Sequence, residues 1–137
     1  MTGFFDGASR GNPGMAGAGC CILEDGVVIW ECAKYLGLKT NNEAEYAALI
    51  TLLAEARSRG TREIEIRGDS KLVVSQVNRE WKINKPHLRV LAQEAWELME
   101  GMKVRLVWVS REENQLADKL SNRAIDERGG EQDERSF

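Results

Sequence analysis

The order of apolar and polar positions divides the chain into short alternating runs and longer stretches with helical spacing. Residues 2–5, 16–23 and 27–35 are short and apolar, and Glu24-Asp25-Gly26 separates the last two, so three antiparallel strands are predicted. After the polar Lys39-Thr40-Asn41-Asn42, apolar residues recur at Leu49, Leu52, Leu53 and Ala56 and stop at Gly60. This spacing predicts a helix capped by Asn41 or Asn42. Residues 63–68 alternate as a fourth strand, and a second helix follows over residues 71–78. A helix between two strands makes a crossover, so the fourth strand should run parallel to the first, with Asp69 at its carboxyl end. Pro86 suits the first turn of a third helix that buries Leu88, Leu91, Ala92, Ala95 and Met99. Residues 103–109 read as a fifth strand, and a last helix over about residues 114–126 turns Leu116, Ala117, Leu120 and Ala124 inward.

Four acids stand where these elements begin or end. Asp6 closes the first apolar run and leads into Gly7-Ala8-Ser9-Arg10-Gly11-Asn12-Pro13-Gly14, as a strand delivering a metal ligand to a phosphate would, or as an ordinary hairpin turn would. Glu45 falls on the same helical face as Leu49, Leu52 and Ala56, where a carboxylate needs a partner or a metal; the plainer alternative is a first-turn acid favouring the helix dipole. Asp69 is either a helix N-cap or a ligand at a strand end. Asp118 borders the stripe of the last helix. Converging carboxylates cannot all ionise without counter-charge, and divalent cations remove that conflict. Oxygen ligands select hard ions such as Mg²⁺ or Mn²⁺, and two of them can activate a water and stabilise the leaving oxygen of a phosphodiester. No cysteine or serine has a histidine partner at readable spacing. The glycine-rich turn also lacks the lysine and hydroxyl of a nucleotide-triphosphate loop.

Composition narrows the picture. With 137 residues the chain is expected to form one domain over residues 1–126, and the polar stretch 127–137, with Gly129-Gly130 inside it, reads as a flexible tail. A net charge of −3 argues against binding nucleic acid through a strongly basic surface, so an anionic partner would need a local basic patch or bound cations. Trp81 with Lys82, Lys85 and Arg89 is such a patch, or else a half-exposed tryptophan on a solvated loop. Cys20, Cys21 and Cys32 read as reduced core thiols and His87 as a surface residue. No run approaches transmembrane length and no leader is apparent, so no membrane association and a cytoplasmic location are the expectations.

The motifs Phe5-Asp6-Gly7-Ala8-Ser9-Arg10-Gly11-Asn12-Pro13-Gly14, Thr40-Asn41-Asn42-Glu43-Ala44-Glu45-Tyr46, Gly68-Asp69-Ser70 and Arg111-Glu112-Glu113-Asn114-Gln115-Leu116-Ala117-Asp118 occur in that order. Through them the chain resembles a type 1 ribonuclease H in its compact form. The resemblance implies cleavage of the RNA strand of RNA/DNA hybrids, with two Mg²⁺ ions or Mn²⁺ in their place, leaving a 5′-phosphate and a 3′-hydroxyl. It implies that Asp6 bridges both ions, that Asp118 completes the site on the water side, and that Glu45 and Asp69 hold the ion at the leaving group. By similarity Gly11, Asn12 and Asn42 contact RNA, Thr40 and Asn41 a DNA phosphate, and Trp81 a DNA sugar. Three departures stand out: the basic protrusion is missing, Lys71 occupies a place where an amide is frequent, and Arg111, Glu112 and Glu113 stand where many members carry a mobile loop histidine. The first implies weaker, more salt-dependent hybrid binding; the last implies that product release or proton handling differs or rests on one of those three. The expected architecture is a three-layer α/β, ribonuclease H-like fold with a five-stranded mixed sheet ordered 3-2-1-4-5, acting as a monomer. A non-catalytic hybrid or duplex binder of the same fold, and a nuclease that also cuts double-stranded RNA, are the alternatives.

Overall fold

The first strand, β1 (Thr2–Gly11), runs well past the apolar stretch that predicts it. It pairs antiparallel with β2 (Gly14–Glu24) along its whole length, from Thr2 opposite Leu23 to Gly11 opposite Gly14. The periodicity misses residues 7–11 because they are small or polar and are held by the main-chain ladder rather than by burial. β2 pairs in turn with β3 (Val27–Lys39), also antiparallel. Helix α1 (Asn41–Ser58) then crosses over to β4 (Glu63–Gly68), which lies parallel to β1. That pairing stops at Phe5 opposite Gly68. Asp6 is therefore the first residue of β1 beyond the end of its parallel neighbour. Helices α2 (Lys71–Val77) and α3 (Pro86–Met99) lead to β5 (Lys103–Trp108), parallel to β4, and a 3-10 turn at Arg111–Asn114 precedes α4 (Gln115–Asp126).

This computed structural model describes residues 1–128 and 132–137. Its sheet has the order β5-β4-β1-β2-β3-β6, so the expected five strands stand in the expected order and a sixth is added outside β3. β6 (Gln132–Ser136) lies within the segment read as a tail, and it pairs antiparallel with β3 from Trp30 opposite Ser136 to Lys34 opposite Gln132. Gln-Asp-Glu-Arg-Ser has no apolar alternation, which is why the sequence pattern misses it. Main-chain pairing holds it, with the Phe137 N–H donating to the Ile29 carbonyl at 2.8 Å and the Arg123 guanidinium 3.0 Å from the Asp133 carboxylate. Gly129 and Gly130 lie outside the described residues.

The two faces of the sheet carry different layers. Phe5, Cys20, Ile22, Trp30, Cys32, Ile64 and Ile66 point into one core with α1, α2 and α3, whereas Phe4, Cys21, Leu23 and Ala33 pack against Leu116, Leu120 and Ala124 of α4. The three cysteines are buried and unbonded. Helix α1 is covered nearly all round, and Glu45 shares its buried face with Leu49, Leu52 and Ala56 as the spacing predicts. Its cap is Thr40, one residue earlier than expected. The Thr40 hydroxyl accepts from the Glu43 N–H at 3.2 Å and the Glu43 carboxylate accepts from the Thr40 N–H at 2.9 Å, the reciprocal pair of a Thr-x-x-Glu capping box. Among the described residues no helix is long and apolar enough to cross a membrane.

Two close approaches set the positions of α1 and α4. A Cβ on Gly7 would overlap the Ala44–Glu45 peptide, so only glycine lets α1 come this near β1. A Cβ on Gly19 would likewise overlap the Ala117 carbonyl and the Ser121 N–H of α4. The absence of side chains at these two positions brings Glu45 and Asp118 towards Asp6.

Candidate active site

Asp6, Glu45, Asp69 and Asp118 all line one cleft of about 450 Å³, at the carboxyl end of β4 and beside the middle of β1. Carboxylate oxygens of Asp6, Glu45 and Asp69 lie within 4.8 Å of one another. Asp118 stands on the α4 side, close enough for its charge and a hydrogen bond to act on Asp6. Asp6 and Glu45 are buried, and Asp69 and Asp118 are half-buried.

The neighbouring elements hold each acid in a different way. Asp6 Oδ1 accepts from the Gly7 N–H at 3.0 Å. Asp69 follows β4 directly, and the cap of α2 is not Asp69 but Ser70, whose hydroxyl accepts from the Val73 N–H at 3.2 Å. The Asp69 carboxylate is thereby left for other work. Its main-chain carbonyl accepts from Trp108 Nε1 at 3.2 Å, and its Oδ2 accepts from Asn114 Nδ2 at 3.4 Å. The same Asn114 nitrogen donates to the Phe5 carbonyl at 2.9 Å, so one buried amide ties the residue before Asp6 to the side chain of Asp69. Tyr46 on α1 donates to Gln76 of α2 at 2.7 Å, fixing the two helices that carry Glu45 and the segment after Asp69.

The electrostatics of the cluster call for positive charge. Burial pushes the Asp6 carboxyl up to about 7; a hydrogen bond from Glu45 works against this, and the charge of Asp69 together with Asp118 adds to it. Burial, reinforced by Asp6, holds Glu45 well above the usual carboxylate range. Glu45 Oε2 is buried and has no hydrogen-bond partner. An orphaned carboxylate oxygen beside two other acids fits a divalent cation, which would satisfy the lone pair and offset the charge together.

The other residues singled out in the sequence are spread around this centre. Asn42 lines the cleft, as do Asn41, Ser9 and Arg111. Gly11 adopts a positive φ of 110° at the hairpin tip, and Asn12 Oδ1 accepts from the Asn41 N–H at 3.0 Å, joining the tip to the start of α1. Thr40 is the helix cap beside them. Lys71 is exposed, with its ammonium 6.0 Å from the centroid of the Trp108 ring. Trp81 is 47% exposed on the loop between α2 and α3 and is not among the residues that line the cleft. Arg89, grouped with it by sequence, is turned back onto that loop, where Nε donates to the Ile83 carbonyl at 3.2 Å. Of the three residues before Asn114, Arg111 faces the cleft, while Glu112 borders a groove outside α4 and Glu113 pairs with Ser110. His87 is exposed. Two site residues were missed by sequence reasoning, Asn114 and Asn122. Asn114 had one readable signal, a polar residue ahead of the apolar stripe of α4; Asn122 had only its four-residue offset from Asp118.

A sheet with this strand order, a crossover α1, and carboxylates from β1, α1, the end of β4 and α4 at one edge define a domain of the ribonuclease H-like class. The chain matches the family described as reverse transcriptase-like over residues 4–124. It is 44% identical over 126 residues to ribonuclease HI of Halobacterium salinarum, an alignment covering 90% of this chain and 63% of that protein. It is 32% identical to a ribonuclease H of Geotalea uraniireducens, with 90% and 92% covered. Among solved structures, RNase H1 from Halobacterium salinarum superposes with a TM-score of 0.88 at 43% identity, covering 91% of this chain and 96% of that one. LC11-RNase H1, solved in complex with an RNA/DNA hybrid, gives 0.88 at 34% identity, with 94% and 99% covered. The chain belongs to the type 1 ribonuclease H family. It spans about 63% of the length of the Halobacterium relative.

Proposed function

We propose that this chain is an endoribonuclease that hydrolyses the RNA strand of RNA/DNA hybrids, with Asp6, Glu45, Asp69 and Asp118 holding two divalent cations, Mg²⁺ by preference and Mn²⁺ in its place. The observation that carries this reading is the meeting of three carboxylates within 4.8 Å, with one buried oxygen of Glu45 left without a partner. A binding module would have no use for such crowding, since it costs stability and makes no contact. Asp6, at the centre of the cluster, would serve both ions, with Glu45 and Asp69 holding one and Asp118 the other. When bound, the cations supply Lewis-acid stabilisation for in-line displacement at a phosphodiester. Water attacks phosphorus and the bond to the 3′ oxygen breaks, leaving a 5′-phosphate and a 3′-hydroxyl.

The chain's own residues select and orient the substrate. Gly11, Asn12 and Asn42 face the RNA strand, where a 2′-hydroxyl can both donate and accept. Thr40 and Asn41, at the positive end of α1, receive a phosphate of the DNA strand, and Trp81 underlies a DNA sugar. Lys71 and Arg111 flank the acids and draw in the polyanion that a net charge of −3 would otherwise repel. Arg111, the member of its trio that lines the cleft, is the candidate for handling the product phosphate. The protein works as a monomer in the cytoplasm; three buried thiols without a disulfide support the location.

The test is incubation with end-labelled hybrid, duplex RNA and duplex DNA, each with Mg²⁺ and with chelator. Hybrid should be cut in the RNA strand only when Mg²⁺ is present, and Asp69→Asn should abolish turnover while hybrid binding persists. Cleavage in chelator, or an active Asp69→Asn, overturns the assignment of the acids. Equal cutting of duplex RNA transfers it to the broader nuclease.

A further inference from the structure

Asn122, on α4, lines the acid cleft one turn beyond Asp118. Its side-chain nitrogen donates to the main-chain carbonyl of Asp118 at 3.0 Å and to carboxylate Oδ1 of Asp118 at 3.3 Å. Its side-chain oxygen faces the other way and accepts from Arg10 Nη2 at 3.5 Å. The second terminal nitrogen of that guanidinium, Nη1, lies 2.7 Å from Asp126, a further turn along α4. Residues 118, 122 and 126 share one helix face at successive four-residue steps, and Arg10 reaches them from the tip of the β1–β2 hairpin.

An asparagine side chain is nearly symmetric in shape but not in polarity. Turned over, Asn122 would set its oxygen against the Asp118 carboxylate and its amide hydrogens against the guanidinium, opposing like with like on both sides. Arg10 and Asp118 therefore select the same orientation. Asp126 in turn keeps the guanidinium in place, and a planar fork with two separate terminal nitrogens can span Asp126 and Asn122 at fixed geometry, whereas an ammonium would have to reach both from one nitrogen and would not fix the amide in the same way. Arg10 and Asp126 are 43% and 60% exposed, so this ion pair adds little to stability. Its consequence is orientation.

We propose that Asn122 is a positioning residue for Asp118, and that Arg10 sets the Asn122 amide so that it donates towards that carboxylate. The inference rests on the nuclease reading, in which Asp118 is one of the reacting acids. It makes the hairpin tip, otherwise a substrate-facing loop, a second support for the acid on α4.

Two readouts on the full chain test it. The first is the pair of side-chain amide proton signals of Asn122 in ¹⁵N-labelled, metal-free protein. They should be well separated in the parent and converge in Arg10→Ala, with the main-chain signals of α4 unchanged. The second is steady-state cleavage of hybrid with Mg²⁺. Asn122→Ala should lower kcat about tenfold, the scale of one hydrogen bond to a charged group, with KM kept within about twofold. Arg10→Ala and Arg10→Lys should both lower kcat, and Arg10→Ala should add nothing in the Asn122→Ala background, as expected for residues acting in series. Melting temperatures should stay level throughout. Unchanged Asn122 signals in Arg10→Ala, unchanged kcat in Asn122→Ala, or a rise in KM alone for Arg10→Ala would each overturn the proposal, the last by making Arg10 a substrate contact. A parent protein that leaves hybrid uncut would sink the nuclease reading instead, while the amide signals would still decide whether Arg10 orients Asn122.

Discussion

At the scale of single residues the most consequential fact is that Asp6 and Glu45 hold protons the unfolded chain would release. Asp6 is raised to about 7 by burial, with Asp69 and Asp118 adding to it, and Glu45 is raised by burial and by Asp6. A carboxyl whose folded value lies above its unfolded one contributes no penalty below about pH 4, where it is protonated in both states. Between about pH 4 and about pH 7 the folded state holds a proton that the unfolded chain has already released, so stability falls across that window. A divalent cation reverses the sign by binding the deprotonated form. Calorimetry in chelator should therefore show the melting temperature falling between pH 5 and pH 8, and added Mg²⁺ should raise it more at pH 8 than at pH 5; equal increments would mean the acids are not the binding site. Much of this cluster is legible in the sequence, because Glu45 shares a helical face with Leu49, Leu52 and Ala56 and so has to be a buried charge. Asn114 and Asn122 are barely legible. Asparagine carries no periodic signal, and the value of each lies in a partner, Phe5 and Asp69 for one and Arg10 for the other, that only the fold brings near.

At the scale of elements, α1 is set by a cap at its start and a bare backbone beneath it. Thr40→Ala removes the hydroxyl half of the capping box and should cost about 1 kcal/mol in denaturant unfolding. Gly7→Ala is the harsher change. The added methyl meets the Ala44–Glu45 peptide, main chain that cannot swing aside, so destabilisation of about 1–3 kcal/mol is expected, together with a loss of turnover out of proportion to the folded fraction, because Glu45 is displaced from Asp6. Circular dichroism melts paired with hybrid cleavage would check both. Helices and core strands are readable from periodicity because burial imposes it. The outer half of β1 escapes, since Ala8, Ser9 and Arg10 are ordered by pairing with β2, and pairing leaves no trace in hydrophobicity. The cap is misplaced by one residue for a related reason: asparagine and threonine compete for the same role, and the reciprocal bond from Glu43 decides for Thr40.

At the scale of the whole molecule, the far rim of the sheet is closed by a strand with hardly any apolar surface. β6 is five residues long and polar, and it converts the open edge of β3 into an interior position. Deleting residues 132–137 should lower the melting temperature by a few degrees, as expected when about 1–2 kcal/mol is lost from a domain of this size, and should increase self-association on sizing columns. Hybrid cleavage per folded molecule should stay within about twofold, because β2 and β3 separate β6 from β1 and its Asp6. The five inner strands follow from the order of apolar runs and the crossover rule, whereas β6 depends on a free edge that no local pattern announces. Phe137 thus leaves the fold beside Ile29, three strands from the acids. A fluorophore carried on β6 would therefore sit apart from the cleft, a position from which binding there could be followed without touching the acids.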